Sequence, residues 1–314
     1  MSYPEPVKVA KHTPGFGISR IFLTGKGLRA GWRLLLFAVI LLVCQTLFEV
    51  ALLRFRPDLV AGVLAIEKGA FSAPALFTIE VGNIISVVAA LAAMAKIEAR
   101  PVAAYGLPLE EAFGTRFWEG VLWGATMVLL LYGLLDAEGA FALRSLAVRG
   151  WRAVADGLFW ALGTLLVAFY EELIFRGYAQ FTLAAAIGFW PAATMLSLAF
   201  GLIHLFDAFY SWQGVVSAAL YGTVFCLALR RTGSLWLGIG FHAAVDFSET
   251  FLLSPPTART TTAGHLLNCD LHGPAWLTGG TVGPEAGVNG FVLFVVVLGL
   301  FLLVHSSRRE SPAA

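Results

Sequence analysis

The chain has 314 residues, 58% of them hydrophobic and only 13% charged, with a mean hydropathy of +0.79. Soluble domains carry about 25% charged residues, so composition excludes a soluble globular class and places the chain among membrane proteins. A net charge of +1 leaves no basic face to neutralise nucleic-acid phosphates, and Cys44, Cys226 and Cys269 stand too far apart to form a CxxC pair or an even disulfide framework.

In chain order, residues 1–30 are polar and basic, with Lys8, Lys11, Arg20, Lys26 and Arg29. They lack the apolar core and cleavage site of a signal peptide, so no removable leader is expected. A helix crossing a bilayer needs about 20 mostly apolar residues. By that measure the sequence predicts eight spans, near 32–53, 71–95, 117–135, 153–176, 189–206, 212–229, 235–253 and 289–305. The connection 254–288, which holds LTGGTVGPEAG, is too rich in Gly, Pro and Thr to be another. The expected organisation is a cytoplasmic segment 1–30, an N-terminal helical part 31–149 and a core 150–314. Alternating the spans from an inside N-terminus puts fourteen basic residues on the cytoplasmic side and seven on the other, which together are the 21 Lys and Arg of the chain. That bias predicts both termini in the cytoplasm, in what the Ala-, Gly- and Leu-rich composition marks as a bacterial cytoplasmic membrane.

Three of these spans carry ionisable groups. Residues 169–178 read FYEELIFRGY, and an ionised carboxylate in hydrocarbon costs roughly 2.5–3.5 kcal/mol even on a lenient scale. Residues four apart share a helix face, so Glu172 is expected to pair with Arg176. Glu171, turned about 100° away, is left for another task. The plainer alternative is a surface salt bridge capping the fourth span. The fifth span ends LAFGLIHL, with Phe200 and His204 four apart; a lone membrane histidine is often only a helix–helix hydrogen-bond partner. The seventh contains GFHAAVDFSE, where Asp246 can fix the tautomer of His242 and leave the other ring nitrogen facing substrate or water. Intramembrane ionisable groups normally face one another or a water-filled cavity, and a hairpin turning near IGFWP (187–191) brings Glu171 and His204 level. Weaker candidates are Glu49, Glu80 and Asn83, placed to line the cavity or pair with arginines, and the loop HLLNCDLHG, whose His265, Cys269, Asp270 and His272 are metal-binding types.

Glu171-Glu172 followed by Arg176, then Phe200-x-x-x-His204, then His242-x-x-x-Asp246, resemble the ordered motifs EExxxR, FxxxH and HxxxN/D of the CPBP family. These are Abi-like multi-pass membrane proteins related to the CAAX prenyl-protein endoprotease and to proteins of bacteriocin processing and immunity. The resemblance covers about 150–255; EARPVAAYGL (98–107) is similar to a family linker and TGGTVGPEAG to a Gly-rich tail of bacterial members. It implies an all-α polytopic membrane protein of about eight helices around a polar intramembrane cavity, acting as an intramembrane endopeptidase. Carried over, Glu171 activates water with help from His204, His242 and the residue at 246 stabilise the oxyanion, and Glu172, Arg176 and Phe200 support them. Here Asp246 stands in place of Asn, and an ionised Asp cannot donate to an oxyanion; it is either protonated or orients His242. The resemblance implies a glutamate-dependent, metal-independent enzyme with no cofactor. Zinc on Glu171, His204 and His242 is the alternative, since these are adequate zinc ligands. No GxSG, GxGD or HExxH signature points to another intramembrane protease chemistry. The expected partners are membrane lipid and a hydrophobic or lipidated peptide substrate, and no nucleic acid. The rival reading is a non-catalytic immunity or scaffold protein of the same fold that binds a peptide; a transporter finds no support in repeated broken spans.

Overall fold

The computed structural model describes residues 23–24, 27–206, 211–255 and 261–305. Most of the segment 1–30 lies outside the described residues, as do Lys8, Lys11, Arg20, Lys26, Arg259, Arg308 and Arg309 of the charge count. A two-residue strand pair, β1 (Leu23–Thr24) and β2 (Gly27–Leu28), precedes the helices. Next come α1 (Ala30–Phe55), α2 (Pro57–Glu67), β3 (Ala70–Ser72), α3 (Ala73–Ile97), α4 (Thr115–Ala137), β4 (Phe141–Leu146) and α5 (Gly150–Glu172). A π-helical segment (Leu173–Ala179) continues α5 into α6 (Gln180–Ile187). The remaining elements are α7 (Phe189–Ile203), α8 (Trp212–Thr232), α9 (Trp236–Phe247) with a second π turn (Ser248–Leu252), β5 (Thr261–Ala263), β6 (Leu267–Leu271), α10 (Ala275–Thr278) and α11 (Val288–Val304).

The fold is all-α and polytopic, with short strands only in the connections. Among the described residues, five helices are long and apolar enough to cross a bilayer: Ala30–Phe55, Ala73–Ile97, Thr115–Ala137, Gly150–Ile187 and Trp212–Thr232. α7 and α11 are shorter apolar helices, and α9 reaches its expected length only through the π turn. Lipid explains the outward faces. In α1 only Phe37 and Leu41 are buried, while Leu42 and Leu47 are 60% and 63% exposed, an arrangement that water would penalise and hydrocarbon does not.

Two expectations are corrected. The fourth span does not end near Arg176; it runs through the π segment to Ile187 as one helix of 38 residues, because its charges are paired internally and do not need the surface. It stops at Gly188, whose φ of 87° reverses the chain into α7. The helix α2 was not anticipated, since eleven residues starting at Pro57 are too few for a span. The connection 254–288 is indeed not a span: β5 pairs in parallel with β3, and β6 pairs antiparallel with β4.

The centre of the bundle is α9, in which every residue from Trp236 to Val245 is buried. It packs on α4, α5 and α8. On α4, Gly120 faces Leu237 and Phe241 of α9 and Gly124 faces Phe241 and Ala244, while Gly240 of α9 faces Phe117 and Val121 of α4. A methyl added at Gly120 would overlap the backbone oxygen of Leu237, and one at Gly240 would overlap that of Phe117. Without a hydrophobic force between helices in lipid, such close backbone approach through small residues is what joins them. At another level Glu98, just past α3, pairs with Arg33 of α1 and accepts hydrogen bonds from Tyr178 (2.6 Å) and Tyr105 (3.1 Å). This clamp ties α1, α3, the 98–107 linker and the π segment together.

If the contact between α4 and α9 positions the centre, Gly240→Ala should lower the melting temperature of the purified protein in detergent, since overpacking costs about 1–3 kcal/mol. An unchanged melting curve would contradict that packing.

Candidate active site

Glu172 and Arg176 lie one turn apart at the junction of α5 with the π segment, Oε1 to Nη1 3.0 Å, and each side chain is only 1% exposed. The pair is therefore buried in the bundle, which rules out the surface-cap alternative. Around the guanidinium carbon stand the rings of Phe200 (4.3 Å), Phe225 (5.4 Å) and Phe175 (5.7 Å), close enough for cation–π attraction. Phe200 of the second motif is thus part of the arginine's seat. Gly222 on α8 makes room for it, since a Cβ there would lie 2.7 Å from Arg176 Nη2.

The same Glu172 oxygen lies 3.3 Å from His242 Nδ1. A carboxylate held ionised by an arginine only accepts, so Nδ1 carries the hydrogen and donates. The ring of Phe225 stacks on the imidazole at 5.3 Å and 19°. The other nitrogen, Nε2, faces two acids, Asp246 Oδ2 at 3.5 Å and Glu171 Oε2 at 3.7 Å. A bare nitrogen there would oppose lone pair to lone pair, so one proton is held among His242, Asp246 and Glu171. Glu172 takes the Nδ1 side of His242, and Asp246 shares the Nε2 side with Glu171, because one turn along α9 points it to the cavity.

Glu171 is 22% exposed, against 1% for its neighbour. It opens on a cavity of about 150 Å³ whose walls include His204, His242, Asp246 and Phe200. All four catalytic candidates read from the sequence therefore meet at one cavity. At the end of α7, His204 Nδ1 lies 2.6 Å from the carbonyl oxygen of Phe200; a carbonyl cannot donate, so Nδ1 holds a hydrogen and donates it.

Sequence reasoning passed over four further polar cavity residues: Ser217 and Tyr221 on α8, Glu249 on the second π turn and Glu285 in the 284–286 turn. Glu249 comes three positions after Asp246 on a helical face, a signal open to inspection. Glu285 is carried in by the Gly-rich connection, where Gly283 has a φ of 137°, and no spacing in the sequence reveals that approach. Ser217 donates to the Glu285 carbonyl at 3.1 Å.

The weaker candidates resolve otherwise. Glu80 is buried and pairs with no arginine among the described residues: its Oε1 accepts from Asn83 (3.1 Å), and Asn83 in turn accepts from Gln45 (3.1 Å), which also donates to Tyr170 (2.6 Å). Gln45, Asn83 and Tyr170 thus link α1, α3 and α5. In the 254–288 connection, His265 bonds Thr262 and Asn268, Asp270 pairs with Arg144, and the buried Cys269 thiol donates to the Leu253 carbonyl. Burial pushes that thiol up to about 12, with Asp270 adding to the shift, so it is a poor metal ligand. Among the described residues no group of three or more His, Cys, Asp or Glu side chains is arranged to hold a metal ion.

Long apolar helices enclosing an acid–imidazole cavity define a polytopic membrane protein with an internal polar site. Residues 153–248 match the family model described as type II CAAX prenyl endopeptidase Rce1-like, and the chain accordingly carries an Rce1-like domain. The matched span contains the three motifs complete, ends one residue before Glu249, and leaves Glu285 outside. The match implies an intramembrane peptidase of the CAAX class and does not favour the non-catalytic alternative. No curated protein matches the chain.

Removing the charge of Glu172 would strand a buried guanidinium and release His242. Breaking such a pair from one side costs about 3–5 kcal/mol, so Glu172→Gln should sharply reduce the yield of monodisperse protein after detergent extraction. Wild-type yield and melting temperature would contradict the pairing.

Proposed function

We propose that the protein hydrolyses a peptide bond of a hydrophobic or lipidated peptide at the membrane, using water activated by Glu171 with His204. One observation carries this reading. Of two adjacent carboxylates, Glu172 is neutralised by Arg176, while Glu171 has no Lys or Arg partner among the described residues and opens on a cavity shared with two imidazoles. A carboxylate that no Lys or Arg neutralises can take a proton from water in the cavity it opens on.

Water in the cavity gives a proton to Glu171, while His204 Nε2 orients it by accepting its second hydrogen. The oxygen attacks the substrate carbonyl carbon, and the carbonyl π pair moves to oxygen. The proton on Glu171 passes to the amide nitrogen as the C–N bond breaks, which leaves a carboxyl and an amine and restores the carboxylate. His242 and Asp246, sharing a proton beside Glu171, keep that carboxylate's second oxygen in place. The cavity opens between helices whose outer faces are apolar, which suits a peptide bearing hydrophobic side chains or a lipid.

The test uses the full chain in lipid nanodiscs with internally quenched peptides ending in a CAAX sequence, with and without a prenylated cysteine. Wild type should cut one of them, and Glu171→Gln should lose about 10²–10⁴-fold in kcat while melting at the same temperature. Cleavage indifferent to Glu171→Gln, or peptide binding by the wild type with no product, would overturn the reading.

A further inference from the structure

We infer that the cavity is entered from the extracytoplasmic face of the membrane, so that its substrate is a peptide already displayed on that face. The choice of a peptide rests on the hydrolytic reading; the direction of entry does not.

Contacts between helix ends sort the connections into two faces. On one, Glu98 past α3 pairs with Arg33 at the start of α1, Trp236 at the start of α9 donates to the Pro108 carbonyl (2.9 Å), and His305 past α11 meets Glu119 near the start of α4 (2.9 Å). On the other, β3 before α3 pairs with β5, and β4 after α4 pairs with β6. Each face is bonded within itself, and the long helices run between the two. The sequence assigns fourteen Lys and Arg to the first face and seven to the second; setting aside the buried Arg176, one of the fourteen, leaves thirteen. Basic residues concentrate on the cytoplasmic side, so the face that bears β3, β4, β5 and β6 is the outer one.

The cavity lies at the outer ends of its helices. His204 directly follows the last residue of α7, Asp246 is one residue from the end of α9, Glu249 is in the π turn beyond it, and Glu285 is in the turn before α11. On α8, which starts at the outer face, Ser217 comes five residues after Trp212, about 8 Å of helix rise, whereas Phe225 comes thirteen after it, about 20 Å. Trp212 is 68% exposed, as a ring at headgroup level is, and the cavity begins just beneath it.

Towards the cytoplasm the cavity is closed. Phe200 and Phe225 line it and also pack on the guanidinium of Arg176, whose pair with Glu172 is only 1% exposed. Beyond the pair, Tyr178 is fully buried and joins the Glu98 clamp at the inner face. Among the described residues no lining side chain comes from an inner-face connection. A layer packed to the density of a protein interior passes no peptide, which leaves the outer mouth.

The test reads which face admits a small reagent. Glu171 and Asp246 have side chains 22% and 28% exposed, and each is replaced by cysteine in a Cys44→Ser background whose other thiols, Cys226 and Cys269, are buried. Right-side-out and inside-out vesicles are treated with a membrane-impermeant trimethylammonium methanethiosulfonate. Arg149→Cys at the start of α5 and Glu111→Cys ahead of α4, both exposed positions, report the outer and inner faces. Glu171→Cys and Asp246→Cys should react in right-side-out vesicles together with Arg149→Cys, and lose that reaction in inside-out vesicles, where Glu111→Cys reacts. A quenched peptide bearing a sulfonated, impermeant dye should be cut by right-side-out vesicles only, and Glu171→Gln should abolish the cut. Cavity thiols that react from the inner face or from neither, Arg149→Cys labelled in inside-out vesicles, or cleavage confined to those vesicles would overturn the inference, while cleavage in nanodiscs that needs Glu171 leaves the hydrolytic reading standing. A wild type that cuts nothing in vesicles or nanodiscs would remove the peptide as substrate, and the thiols would still decide the direction of entry.

Discussion

Glu172 and Arg176 form an ion pair 3.0 Å long inside the bundle, and the rest of the site is arranged around it. Two charges taken out of water repay their desolvation only when geometry is good and further hydrogen bonds satisfy the remaining lone pairs and protons. Three aromatic rings meet the cation, and His242 Nδ1 meets the anion. The pair thus connects α5, α7, α8 and α9 through one guanidinium and one carboxylate. By neutralising Glu172 it also gives adjacent Glu171 a different character, although the two have the same chemistry and neighbouring positions. Environment alone divides them.

The two π turns belong to the same arrangement. Such widened turns are rare and occur often at functional sites. One begins directly after Glu172 and holds Arg176 and Tyr178; the other lies just beyond Asp246 and holds Glu249. From the first turn Tyr178 reaches the Glu98 clamp, and from the second Glu249 reaches the cavity. The backbone geometry needed for the site and that needed for the bundle are met by the same residues.

Much of this was legible in the sequence for a physical reason. Lipid forces spans to be apolar and self-bonded, so all eight predicted spans are helices, and most bounds fall within a few residues of the structure. Spacing by four placed Glu172 on Arg176 without any tertiary knowledge. The features that could not be read depend on contacts between distant parts of the chain. The bond from His242 to Glu172 joins residues 70 apart, a pairing that helical spacing does not reveal. Glu285 arrives on a loop folded by glycines, and Tyr221 sits in a helix that offered no motif. The long fourth helix was cut short because its charges looked like an ending, when they were already paired inside.

The positions of the hydrogens on His242 decide most directly whether the buried pair organises the site. Nitrogen NMR of histidine-labelled protein in nanodiscs, with a His242→Gln sample to assign the ring, reads them without any substrate. A protonated Nδ1 bonded to Glu172 is expected, with a signal that shifts when Arg176 is replaced by methionine. A bare Nδ1, or a ring indifferent to Arg176, would contradict that organisation.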